Sequence, residues 1–109
     1  MITSKHCVPC TSGTPVLTLD ELTEYKKTLD PGWENSGNTL LWREFGFKNF
    51  QEALDFTNKV GALAESEGHH PNIYLHNWNK VKIELTTHKI KGLSENDVIL
   101  ATKIDQIQV

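Results

Sequence analysis

Apolar residues recur at helical spacing in three stretches and alternate with polar ones in two pairs of short runs, so the chain reads α-β-β-α-β-β-α. Thr18 followed by Glu21 has capping-box spacing, and Leu19, Leu22, Tyr25 and Leu29 share one side of a first helix that Asp30-Pro31-Gly32 ends. Trp33-Glu34-Asn35 and Thr39 to Phe45 flank Ser36-Gly37-Asn38, the pattern of a hairpin. The second run is apolar on both alternate faces, with Leu40 and Trp42 on one and Leu41 and Phe45 on the other. A second subunit is therefore expected over one of them.

Asn49 is a suitable N-cap for a long helix over 50–67, in which Ala53, Phe56, Val60 and Leu63 recur on one side and Gly68 occupies the C-terminal cap. Pro71 forbids continuation because it lacks an amide hydrogen and restricts the residue before it. Two further strands follow, Ile73 to Trp78 and Val81 to Thr87, around Asn79-Lys80. In the second, Val81, Ile83 and Leu85 alternate with Lys82, Glu84 and Thr86. Ser94 with Asp97 three residues on opens a last helix, whose Leu100, Ala101, Ile104 and Ile107 form a stripe fit to lie on a sheet.

Adjacent strand pairs between helices predict the α+β class, a four-stranded antiparallel sheet with helices packed on one face. At 109 residues, 38% hydrophobic and 23% charged, the chain has the size and balance of one globular domain, 1–109, with residues 1–16 as an N-terminal arm outside the core. The net charge of -3 and scattered lysines offer no basic field, so nucleic acid is not expected as a direct partner. No apolar run approaches a membrane span and Met1 to Cys10 has no signal-peptide core, which predicts a cytoplasmic protein without membrane contact. Cys7 and Cys10, the two cysteines, are too close to frame a domain with disulfides.

Candidate chemistry gathers late in the chain. Three of the five histidines, His69, His70 and His88, accompany Glu65, Asp97 and Trp78, and imidazole is the side chain suited to proton transfer near neutral pH. Each residue also has a plain local reading. His69-His70-Pro71 suits a helix terminus, His88 a strand end or the loop after it, and Asp97 the first turn of a helix. Glu65, in the last turn of a helix, sits against the dipole and invites a cationic partner.

The combined spacing resembles the pterin-4a-carbinolamine dehydratase family. Glu65, three positions, His69-His70-Pro71, the aromatic Trp78, His88 after nine more residues and Asp97 after eight reproduce its motif. The resemblance extends to Asn79-Lys80-Val81, Leu85 to His88 and Gly92-Leu93-Ser94, and covers nearly all of residues 18 to 107. It departs at Gly68, where animal members carry an acidic residue. The resemblance implies dehydration of 4a-hydroxytetrahydrobiopterin to quinonoid dihydrobiopterin, recycling the pterin for aromatic amino-acid hydroxylases. It further implies His69 and His88 as an acid/base pair, His70 as a positioning group, Asp97 as orienting a histidine, and Glu65, Pro71 and Trp78 at the substrate. No cofactor is implied, and the expected partners are a pterin and further copies of the chain, as homodimer or homotetramer.

Two other classes of function remain open from the residues. His69, His70 and His88 with a carboxylate are acceptable metal ligands, although adjacent histidines seldom converge on one ion, and His6 with Cys7 and Cys10 makes half a zinc site at most. A binding module is the other, since animal members of the family double as dimerisation cofactors of a transcription factor.

Overall fold

The computed structural model describes residues 5–8 and 13–108. Helix α1 (Leu19–Lys26) starts at the Thr18–Glu21 capping box, in which the Thr18 hydroxyl accepts from Glu21 N and the Glu21 carboxylate accepts from Thr18 N. It stops one turn short of the expected Leu29, because Lys27 to Leu29 close as tight turns, yet Leu29 is still buried. The hairpin β1 (Glu34–Ser36) and β2 (Leu40–Gly46) follows, then α2 (Phe50–Glu67), β3 (Asn72–His76), β4 (Lys80–Leu85), a single 3-10 turn at His88–Ile90 and α3 (Glu95–Ile104). The strands form one antiparallel sheet in the order β1-β2-β4-β3, which puts β4 between β2 and β3.

Alternation along the strands separates two faces. Leu41, Val81, Ile83 and Leu85 are fully buried against the helices, which contribute Leu22, Ala53, Phe56, Val60, Val98, Leu100 and Ala101. Phe56 packs on Phe45 and Phe47 with ring centroids 4.7 and 4.9 Å away. The opposite face carries Trp42, Glu44, Tyr74, His76, Lys82 and Glu84. There the expected apolar surface of Leu40 and Trp42 is already partly screened within the chain, since the Lys82 ammonium lies 4.9 Å from the Trp42 ring.

One expectation is corrected here and one is extended. The second hairpin turns at Asn77-Trp78 instead of Asn79-Lys80, because both residues adopt left-handed backbone, φ 48° and 56°, and Lys80 already belongs to β4. A bulky aromatic in that conformation is uncommon, so the run reads as strand two residues too far, to Trp78 instead of His76. Helix α3 buries its expected stripe of Leu100, Ala101 and Ile104, with Ile107 packed against the core, and a wider surface besides. Asn96 to Thr102 are all buried, because Asn96, Asp97 and Thr102 find polar partners inside the protein. Among the described residues no helix is long and apolar enough to cross a membrane.

Candidate active site

The exit of α2 is a helix-stop built by its sequence. Gly68 takes φ 66° and donates its N–H to Glu65 O, while His69 N donates to Ala64 O, a Schellman arrangement that turns the chain sharply before Pro71. Nothing lies within 4 Å of a Cβ built on Gly68, so glycine is required there for the backbone and not for space. His69 is thereby directed inward and His70 outward: His69 is 8% exposed, and His70 lies in solvent.

Inside, His69 Nε2 lies 2.6 Å from Asp97 Oδ1, and Asp97 is wholly buried. The second oxygen, Oδ2, accepts from Thr87 Oγ1 at 2.8 Å and from Ser94 N at 2.9 Å. Thr87 Oγ1 also lies 2.9 Å from Ser94 Oγ, and Thr87 is fixed by mutual backbone bonds with Gly92. The capping carboxylate of α3 is therefore also the partner of the histidine that α2 delivers.

A carboxylate only accepts, so His69 donates through Nε2, and in the neutral imidazole Nδ1 carries the lone pair. No buried side-chain nitrogen or oxygen among the described residues lacks a partner, and Nδ1 has none, so Nδ1 opens to solvent. His69 lines a cleft of about 400 Å³ between the helix exit, Gly68 to His70, and the end of β4, Thr86 to Lys89. His88 lines the same cleft from the 3-10 turn.

The structure thus brings His69, His70, His88 and Asp97 to one place. Glu65 pairs with His70 Nε2 at 2.8 Å in solvent, which gives its dipole-opposed carboxylate a hydrogen-bond partner. Pro71 leads directly into β3. Trp78 does not join them: it is 61% exposed at the β3–β4 turn, a strand length of about 17 Å from the cleft. No three histidine, cysteine or carboxylate side chains among the described residues are arranged to hold a metal ion. Cys7 binds Asn96 O through its thiol, and Cys10 lies outside the described residues.

Thr87 is the site residue that motif reading passed over. Its signal was present, because it continues the buried series Val81, Ile83, Leu85 with a hydroxyl, and a polar residue on an apolar face calls for a partner.

A family model described as pterin 4 alpha carbinolamine dehydratase matches residues 15–107. A protein of Alkaliphilus metalliredigens, provisionally named as this dehydratase, is 51% identical over 107 residues, covering 98% of this chain and 96% of that one. The mitochondrial pterin-4-alpha-carbinolamine dehydratase 2 of Arabidopsis thaliana is 43% identical, with 99% of this chain and 59% of that protein covered. A crystal structure described as a transcriptional coactivator/pterin dehydratase from Brucella melitensis superposes with a TM-score of 0.77 at 34% identity, over 84% of this chain and 96% of that one. A pterin dehydratase-like protein described as a RuBisCO assembly factor in the alpha-carboxysome matches with a TM-score of 0.58 at 26% identity, over 68% and 86% of the two chains.

Proposed function

The chain belongs to the pterin 4 alpha carbinolamine dehydratase family, and we propose that it eliminates water from 4a-hydroxytetrahydrobiopterin by histidine acid/base catalysis to give quinonoid dihydrobiopterin. The observation that carries this reading is the buried His69–Asp97 pair whose histidine lines a cleft shared with His88. Dehydration breaks the C4a–O bond while a proton reaches the departing hydroxyl and another leaves N5. One water is released and no electrons are exchanged.

His69 suits the base role. Asp97 holds its Nε2 proton and stabilises the cation formed when Nδ1 takes the proton from N5. His88, as imidazolium, supplies the proton to the hydroxyl. His70 positions the pterin, held by Glu65. The two proton transfers each contribute about 10²–10⁴-fold. Solvent in the open cleft returns both histidines to their starting states.

The coactivator and assembly-factor descriptions belong to those two neighbours, and the complete His69–Asp97–Thr87 constellation favours the enzyme for this chain. We further propose that the quinonoid product, after two-electron reduction to the tetrahydropterin by a separate reductase, returns to aromatic amino-acid hydroxylases in the cytoplasm, and that the chain works as a homodimer or homotetramer, which light scattering will distinguish. The decisive measurement is spectrophotometric dehydration of a 4a-hydroxypterin by wild type, His69→Ala and His88→Ala. Loss of rate in both variants is expected, and wild-type rates in both would sink the assignment.

A further inference from the structure

The dehydration chemistry leaves one built feature unused, the N-terminal segment Lys5–Val8. It crosses between the end of α2 and the start of α3, the two elements that supply the His69–Asp97 pair. On the α2 side, Cys7 N donates to Glu67 Oε1 at 2.7 Å, His6 Nδ1 lies 2.9 Å from Oε2, and Lys103 Nζ reaches the same oxygen at 3.0 Å. Glu67 stands two residues before His69 in the last turn of α2, where negative charge opposes the helix dipole. These donors make that placement tenable, and its side chain is only 5% exposed.

On the α3 side, Asn96 pairs with Val8 as another strand would: Val8 N donates to Asn96 Oδ1 at 3.0 Å and Asn96 Nδ2 donates to Val8 O at 2.8 Å. The Cys7 thiol bonds Asn96 O at 3.6 Å, and Lys5 Nζ pairs with Glu95 at 3.3 Å. Asn96 is buried and adjoins Asp97. Two adjacent arm residues, Cys7 and Val8, therefore tie Glu67, two residues before His69, and Asn96, the residue before Asp97, and neither lines the cleft.

The geometry points to the arm as a brace that sets the His69–Asp97 distance, with Glu67 and Asn96 as positioning residues acting on the pair through the backbone. A carboxylate and an imidazole on different helices keep a 2.6 Å bond only while the two helix ends hold their separation, and a misplacement near 1 Å costs on the order of 10²-fold in rate. Burial and the neighbouring Glu67 push the Cys7 thiol up to about 12, so it stays protonated and acts here as a donor and packing group.

The test compares wild type, a chain lacking residues 1–12, Asn96→Ala and Glu67→Gln by two readouts. One is the solvent exchange of the His69 Nε2 proton followed by NMR, and the other is kcat and KM for pterin dehydration. The kinetic readout rests on the dehydratase reading, whereas proton exchange stands without it. Deleting the arm should accelerate His69 exchange about tenfold or more and lower kcat about tenfold, with KM nearly unchanged because the cleft is not touched. Asn96→Ala should act in the same direction, and Glu67→Gln, which keeps an acceptor for Cys7 N, should do so less. Should the shortened chain fail to fold, the two point variants decide. Wild-type exchange at His69 in the variants overturns the brace, whether or not kcat falls. Faster exchange in a protein whose wild type dehydrates no pterin supports the brace and removes the dehydratase assignment instead.

Discussion

Asp97 receives three hydrogen bonds in a wholly buried position, from His69, Thr87 and the backbone of Ser94, and each donor constrains the others. Asp97→Asn puts an amide where a carboxylate accepted from both sides, so its NH₂ must face either His69 Nε2 or the pair Thr87 and Ser94. Facing Thr87 and Ser94 it sets donor against donors, and facing His69 it forces the tautomer with Nε2 as acceptor and the proton on Nδ1, the nitrogen proposed as base. We expect kcat to fall on the order of 10²-fold with the fold retained, read from the dehydration assay beside circular dichroism. Thr87→Val keeps the shape and removes one donor, leaving Oδ2 with the Ser94 bond alone. Urea unfolding should show a loss of about 1–2 kcal/mol at an unchanged m value. The role of Asp97 was readable from its motif spacing. That of Thr87 is signalled only as a hydroxyl on an apolar strand face, and its partner ten residues on is encoded by no local pattern.

At the scale of elements, legibility tracked how much of the signal was local. Helix α2 spans the residues its sequence predicts because Asn49, Gly68 and Pro71 mark both ends with specific backbone chemistry. The β3–β4 turn differs from the expected one because Trp78, a strand-favouring residue, follows Asn77 into left-handed backbone. Helix α3 was under-read for a different reason. Burial of Asn96, Asp97 and Thr102 depends on partners elsewhere, so an apolar stripe reports only part of its buried surface. The far end of α3 shows the same dependence: Asp105 accepts from Trp33 Nε1 at 2.8 Å and from Arg43 Nη1 at 2.6 Å, and Arg43 also lies 4.3 Å over Phe45. Asp105→Ala leaves the Trp33 indole N–H and the Arg43 guanidinium without this acceptor, and we expect about 2–3 kcal/mol of destabilisation in urea.

Across the whole molecule, two carboxylates that tie α3 to its surroundings, Glu67 through Lys103 and Asp105 at the C-cap, titrate with opposite signs. Although burial raises it, Glu67 is brought down from 4.5 to about 2 by the Cys7 N–H, His6 and Lys103. A depressed carboxyl contributes stability that is complete above its unfolded value, and that contribution is lost as pH falls from about 4.5 toward 2. Asp105 moves the other way: burial raises it from 3.8 against the opposing bonds of Trp33, the Asp30 N–H and Arg43. Its folded form holds the proton more tightly than the unfolded chain, so ionisation costs stability as pH rises through the interval just above 3.8. Acidification below pH 4.5 should therefore weaken the fold through Glu67 while the Asp105 change partly offsets it. Unfolding free energies measured by urea from pH 6 to pH 2.5 should fall less steeply for Glu67→Gln than for wild type, the two curves converging at the acid end. Asp105→Asn should steepen the wild-type decline, since it removes the opposing group. Parallel curves for all three proteins would show that the acid limb is set by other carboxylates and that the arm contacts at Glu67 contribute no pH-dependent stability.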